Sequence, residues 1–184
     1  LIKSAIRNVG KENFDIREFE RISKESGLSQ IDILNDLLYY VKNKLTYLGE
    51  GSSRIVYIYN NSKVLKLAMN NFGIHQNRGE ANISERSNVL APKVFVVGNN
   101  NYYLISELVR PVTNTGEFLL LSNTSWIWIR FVNDLNSYNE DNEFESEDTF
   151  TNKVLDFIDK NQLLIGDVTC LEHWGVTATD TIED

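Results

Sequence analysis

At Leu45 the hydrophobic pattern changes from a helical repeat to short runs of β-branched and aromatic residues, and the order of those runs restricts the fold more than any other feature. The runs are 45–50, 54–60, 63–68, 93–98 and 101–106, each bounded by turn-forming residues as strands usually are. Asn60-Asn61-Ser62 and Gly98-Asn99-Asn100 are tight-turn sequences, so the first three strands and the last pair are expected as antiparallel hairpins. The polar stretch 73–88 between the third and fourth runs is compatible with a helix. The expected fold class is α+β, with a five-stranded antiparallel sheet and one helix packed across it.

Residues 15–26 and 29–45 show helical spacing through Ile16, Phe19 and Ile22, then Ile31, Leu34, Leu37, Leu38 and Val41,. Ser29 with Asp32 three residues on is an N-cap signature, and Gly27 divides the two helices,. After Pro111 the pattern becomes helical again through Leu119–Leu121, Trp126, Ile129, Phe131, Val132 and Leu135, and once more over 149–162. Trp126 and Trp128 are expected in a core. The acidic stretch Asn139–Asp148 between these helices reads as a solvated loop,. The organisation expected is an N-terminal helical extension (1–45), a sheet domain (46–111) and a mainly helical segment (112–184).

With 18 basic and 26 acidic residues among 184, the formal charge is −8, which disfavours nucleic acid as a partner held by broad electrostatic attraction. The single Cys170 cannot form an intrachain disulfide, and one Cys with two His offers no zinc-finger spacing,. No run approaches the ~20 apolar residues that span a bilayer, and Leu1–Ile6 lacks a signal-peptide core,. A soluble, cytoplasmic protein is expected. Because the chain begins at Leu1 and stops at Asp184, further residues are expected at one or both ends.

The segment with most chemical content is Leu48-Gly49-Glu50-Gly51-Ser52-Ser53-Arg54, a glycine-bearing turn between two strands. Glycines there let backbone N–H groups approach a phosphate, although a short Gly-x-Gly also serves as an ordinary hairpin turn. No Gly-Lys-Ser/Thr opens a helix, so it is not a Walker A loop. In the third strand, Val64-Leu65-Lys66-Leu67-Ala68 sets a lysine among apolar residues. Alternation puts Lys66 on one face with Val64 and Ala68, small groups suited to covering an adenine ring. A lysine in that setting needs an anion or a carboxylate. Glu80, on the only helix between strands three and four, supplies one. The alternative is an edge-strand lysine and a surface glutamate.

Taken together, these residues resemble the small lobe of protein kinases, and more narrowly the compact kinase-like proteins of bacteriophages. The resemblance implies that Gly49, Gly51, Ser52 and Ser53 cover nucleotide phosphates, that Lys66 contacts them, and that Glu80 orients Lys66. It also implies that Ser106, Glu107 and Leu108 form a hinge holding adenine through its backbone, so ATP is the expected cofactor. In the second half, Leu164-Ile165-Gly166-Asp167 stands where the family has its catalytic loop, so Asp167 would orient the attacking hydroxyl or accept its proton.

The sequence departs from that pattern around Asp167. Ile165-Gly166 replaces the usual His-Arg, and no lysine stands two residues on. His173 aligns with the metal-binding asparagine if one residue is inserted, with Trp174-Gly175-Val176 continuing as the short strand that follows; Glu172 is its neighbour. Imidazole is a poorer Mg²⁺ ligand than an amide or carboxylate oxygen, and a structural histidine is the alternative. Asp184, 17 residues after Asp167, would be the second metal-binding aspartate, with Asp180 in the hairpin turn before it. The leading expectation is an ATP- and Mg²⁺-dependent phosphotransferase acting on a protein hydroxyl or on a small molecule. The competing ones are a pseudokinase-like scaffold that binds a host protein without catalysis, and an unrelated α+β domain with a chance glycine turn.

Overall fold

The computed structural model of the chain describes residues 14–86, 90–124, 127–140 and 144–176. Over these residues the protein is α+β, with a five-stranded antiparallel sheet and seven α-helices. The elements are α1 (Ile16–Ser23), α2 (Gln30–Lys42), β1 (Thr46–Glu50), β2 (Arg54–Asn60), β3 (Lys63–Ala68), α3 (Asn71–Arg86), β4 (Val94–Val97), β5 (Tyr103–Glu107), β6 (Arg110–Pro111), α4 (Thr115–Ser122), α5 (Trp128–Glu140), α6 (Thr149–Asn161), α7 (Ile165–Val168) and β7 (Gly175–Val176). The chain divides into two compact units, with the boundary between Leu108 and Val109.

In the first unit the strands lie in the order β1-β2-β3-β5-β4, all neighbours antiparallel. The hairpins are those expected from the turn sequences; the pairing of β3 with β5, which joins them in one sheet, comes from the fold. Asn99–Asn101 forms a short 3₁₀ turn, with Asn100 and Asn101 left-handed at φ 50° and 59°, a conformation asparagine tolerates better than most residues. Gly98 is required there: a Cβ would lie 2.3 Å from the Tyr103 ring.

The two N-terminal helices pack on the sheet. Phe19, Leu37 and Val41, all fully buried, join Leu65, Leu67, Tyr103 and Ile105 from the sheet in one hydrophobic core. The physical reason is the apolar stripe itself, since each such side chain gains about 1.5–3 kcal/mol by leaving water and the sheet offers it a partner surface. Asp15 caps α1, and a reciprocal Ser29–Asp32 capping box starts α2. Gly27 between them adopts φ 90°, where side chains are strained.

The helix α3 packs on the other face of the sheet. Asn70 begins it by accepting a hydrogen bond from the Gly73 N–H at 3.1 Å. At Gly73 a Cβ would stand 2.2 Å from the Ser53 carbonyl oxygen and 3.0 Å from Ala68, so glycine allows the β1–β2 turn to press against the helix.

In the second unit, β6 and β7 pair antiparallel and the core is aromatic. The Phe118 ring lies 4.8 Å from Trp128, 5.3 Å from Phe131, 5.8 Å from Phe150 and 5.1 Å from Trp174, centroid to centroid. Trp128 therefore sits in a core, and Trp126 lies outside the described residues. The acidic stretch differs from the solvated loop expected of it. The helix α5 runs on to Glu140, and Ser146 and Asp148 are buried. Asp148 caps α6 through the Thr151 N–H at 2.8 Å, and a carboxylate among the free N–H groups of a helix start loses little by burial. Among the described residues no helix is long and apolar enough to cross a membrane.

Two glycines of α3 give a paired test of this packing. Gly73→Ala should lower stability by about 1–3 kcal/mol, since the new methyl group meets backbone that must move. Gly79→Ala, where a Cβ meets nothing within 4 Å, should raise it by about 0.5–1 kcal/mol through helix propensity. Chemical denaturation of the two variants reads both signs, and equal effects would contradict the close approach at Gly73.

Candidate functional site

Strand register builds the site. Gly49, Val56, Lys66, Leu104 and Val97 lie side by side across β1, β2, β3, β5 and β4, so their side-chain positions share one face, the face on which α3 packs. The Lys66 ammonium donates a hydrogen bond to Glu80 Oε1 of α3. The expected meeting of Lys66 and Glu80 is present.

Glu80 has a second cation that the sequence reading did not assign. Arg54 Nη1 donates to Glu80 Oε2 at 2.7 Å and to Asn77 Oδ1 at 3.3 Å. Asn77 is fully buried and is itself held by donating from Nδ2 to the Asn101 carbonyl at 2.9 Å. Two sequence signals point to these residues. Arg54 precedes Val56 by two positions, so alternation places it on the Lys66 face, and Asn77 precedes Glu80 by three, the same side of a helix. The side chains of Lys66, Glu80 and Arg54 are 19%, 18% and 23% exposed. Burial alone would push the Glu80 carboxyl up, but the charges of Lys66 and Arg54 and their hydrogen bonds outweigh it and hold the carboxyl below its ordinary value of 4.5,.

The glycine-bearing segment is a tight hairpin closed by the Gly51 N–H donating to the Arg54 carbonyl at 2.9 Å, with Ser52 and Ser53 at its tip. The Ser53 carbonyl accepts from the Met69 N–H at 2.8 Å, and the Ser52 carbonyl accepts from Asn70 Nδ2 at 3.3 Å. Neither Gly49 nor Gly51 has positive φ, and a Cβ on either would meet nothing within 4 Å. Glycine at these two positions leaves open space that no internal contact uses. Ser52 and Ser53, with Asn70, Phe72, His75 and Gln76 from the start of α3, line an open depression of about 710 Å³.

The segment expected to hold adenine is less available than its sequence suggests. Ser106 is fully buried between Val64 and Val94. The Glu107 N–H donates to the Lys93 carbonyl and the Leu108 N–H to the Ser62 carbonyl, both at 2.8 Å. These two donors are spent inside the sheet, because β5 continues far enough to pair on both sides.

In the second unit, Asp167 lies on the single-turn helix α7 with its side chain exposed. Its backbone carbonyl accepts a hydrogen bond from His173 Nδ1 at 2.7 Å. A carbonyl only accepts, so Nδ1 carries the proton and a neutral ring keeps its lone pair on Nε2. His173 closes the 3₁₀ turn Leu171–His173, and β7 follows it, as expected for the short strand after this position. Among the described residues no three His, Cys, Asp or Glu side chains come together to hold a metal ion. Asp180 and Asp184 lie outside the described residues, and of Glu172 only the backbone is described.

The Glu80 network makes stability depend on pH with a definite sign. A carboxyl lowered in the folded state stabilises fully above its unfolded value near 4.5 and loses that contribution as pH falls through the lower folded value. Glu80→Ala leaves two partly buried cations without their carboxylate and should cost about 2–4 kcal/mol near neutral pH. In thermal melts the gap between wild type and Glu80→Gln should be widest near pH 6 and shrink below about pH 4; a gap independent of pH would mean that charge is not what holds the network. No family model, no curated protein and no solved structure matches the chain, so its activity has to be argued from its own residues.

Proposed function

We propose that the chain is an ATP-dependent phosphotransferase of the protein-kinase-like type, similar to the compact bacteriophage proteins, with a protein hydroxyl as acceptor. The observation that supports this best is the Lys66–Glu80 pair set in the same cross-strand row as Gly49, where space is left that packing does not need. A lysine so held presents a fixed positive charge without the entropy cost of ordering it when an anion arrives.

ATP supplies the transferable phosphoryl group. Lys66 binds phosphate oxygens, Glu80 holds Lys66 in place, and Gly49 to Ser53 let the chain come close to the phosphates. The resemblance to protein kinases gives Asp167 the role of orienting the acceptor hydroxyl or taking its proton. The residues fit the phosphates better than the other parts of the cofactor. The N–H groups of Glu107 and Leu108 are occupied, and the described side chains form no metal-binding group, so no step is assigned to Mg²⁺.

Those occupied donors favour a second reading, a pseudokinase-like scaffold that binds a partner protein without transferring phosphate. Titration calorimetry with ATP and Mg²⁺ separates the possibilities. Lys66→Ala should abolish saturable binding and still fold, because Glu80 retains Arg54 at 2.7 Å. Asp167→Asn should retain binding and lose transfer by about 10²-fold or more. Binding without transfer in the wild type supports the scaffold, and the absence of binding at millimolar ATP sinks the phosphotransferase.

A further inference from the structure

Resting on the phosphate-binding reading above, we infer that Arg54 is a second phosphate-binding cation of the same site, which therefore takes nucleoside di- and triphosphates in preference to monophosphates.

Lys66 and Arg54 share one carboxylate, Glu80, through its two separate oxygens. The group carries one positive charge in excess, in a chain whose net charge is −8. The Lys66 and Arg54 side chains are 19% and 23% exposed, so solvent screens that excess less than it would on an open surface.

Both Arg54 hydrogen bonds leave from Nη1. Among the described residues Nε and Nη2 have no partner, so three N–H donors in the plane of the guanidinium remain available. That edge of the fork matches two oxygens of a phosphate. The buried Asn77, fixed to the Asn101 carbonyl, and Glu80 together pin Nη1 and so fix the plane in which the unused donors lie.

Arg54 is the first residue after the Ser52-Ser53 tip, and its carbonyl closes that turn. It stands two residues before Val56, which pairs with both Gly49 and Lys66. A phosphate chain lying along the glycine turn thus has Lys66 and Arg54 as neighbouring cations on either side of Glu80. Nη1 faces Glu80, so the free Nε–Nη2 edge lies on the side of the guanidinium away from Glu80 and Lys66; a phosphate seated on that edge is not the one at Lys66, and a second phosphate is needed to engage both.

The test is titration calorimetry of adenosine, AMP, ADP and ATP with wild type, Arg54→Ala, Arg54→Gln and Arg54→Lys. The wild type should bind more tightly from AMP to ADP to ATP. Arg54→Ala should weaken ADP and ATP by about tenfold or more and AMP by less than about threefold, with Arg54→Lys recovering part of the loss. Arg54→Gln keeps a donor for Glu80 without the charge, so it carries the comparison if Arg54→Ala fails to fold. An equal loss for AMP and ATP would mean that Arg54 only props Glu80, and the inference falls. It falls equally if the wild type does not distinguish AMP from ATP. A wild type that binds none of the four overturns the phosphate-binding reading itself, and this inference with it.

Discussion

The Glu80 carboxylate is the interaction on which the first unit turns. It joins three elements that are far apart in sequence, taking Lys66 of β3 on one oxygen and Arg54 of β2 on the other from its place on α3. Taking three charges partly out of water is costly, and Coulomb attraction offsets that cost here because each cation is hydrogen-bonded to its own oxygen of Glu80,. The consequence is asymmetric. Losing Lys66 leaves Glu80 paired, and losing Arg54 does the same, whereas losing Glu80 strands both cations at once.

The sheet can hold such a network because its two faces do different work. Leu65, Leu67, Tyr103 and Ile105 face the α1–α2 pair and bury an apolar core. Lys66 alternates with them and faces α3,. A one-residue slip of β3 would drive the lysine into the apolar core and turn Leu65 and Leu67 toward the charges, so the polar network and the core specify the same register. Gly73 extends this agreement to the turn, since only a residue without a Cβ lets the Ser53 carbonyl come so near the helix.

The second unit is ordered by aromatic packing around Phe118 and Phe131. The segment after α6 is tied by side chains to backbone carbonyls: His173 Nδ1 to Asp167 and Trp174 Nε1 to Val168, at 2.7 and 2.8 Å. The histidine thus supports the backbone at Asp167. Beside the β6–β7 pair, Gly175 leaves room for the Val109 side chain, since a Cβ there would stand 2.0 Å from Val109 Cγ1.

By itself the sequence determined which elements form and in what order. Strand alternation, the asparagine-rich turns and the Ser29–Asp32 cap are local signals that act within a few residues, and the five strands, α3 and the hairpin pairings follow from them, while the β3–β5 pairing does not,. The Lys66–Glu80 pair was legible for the same reason, since a lysine in an apolar strand needs a carboxylate and the crossing helix carries one. Only the tertiary structure decided that α1 and α2 share the sheet's core, that Asp148 is buried, that the Glu107 and Leu108 donors are spent, and that Arg54 and Asn77 complete the network. Each of these depends on which groups meet across long separations in the chain. Burial and hydrogen-bond satisfaction are properties of that meeting, not of the residues one at a time.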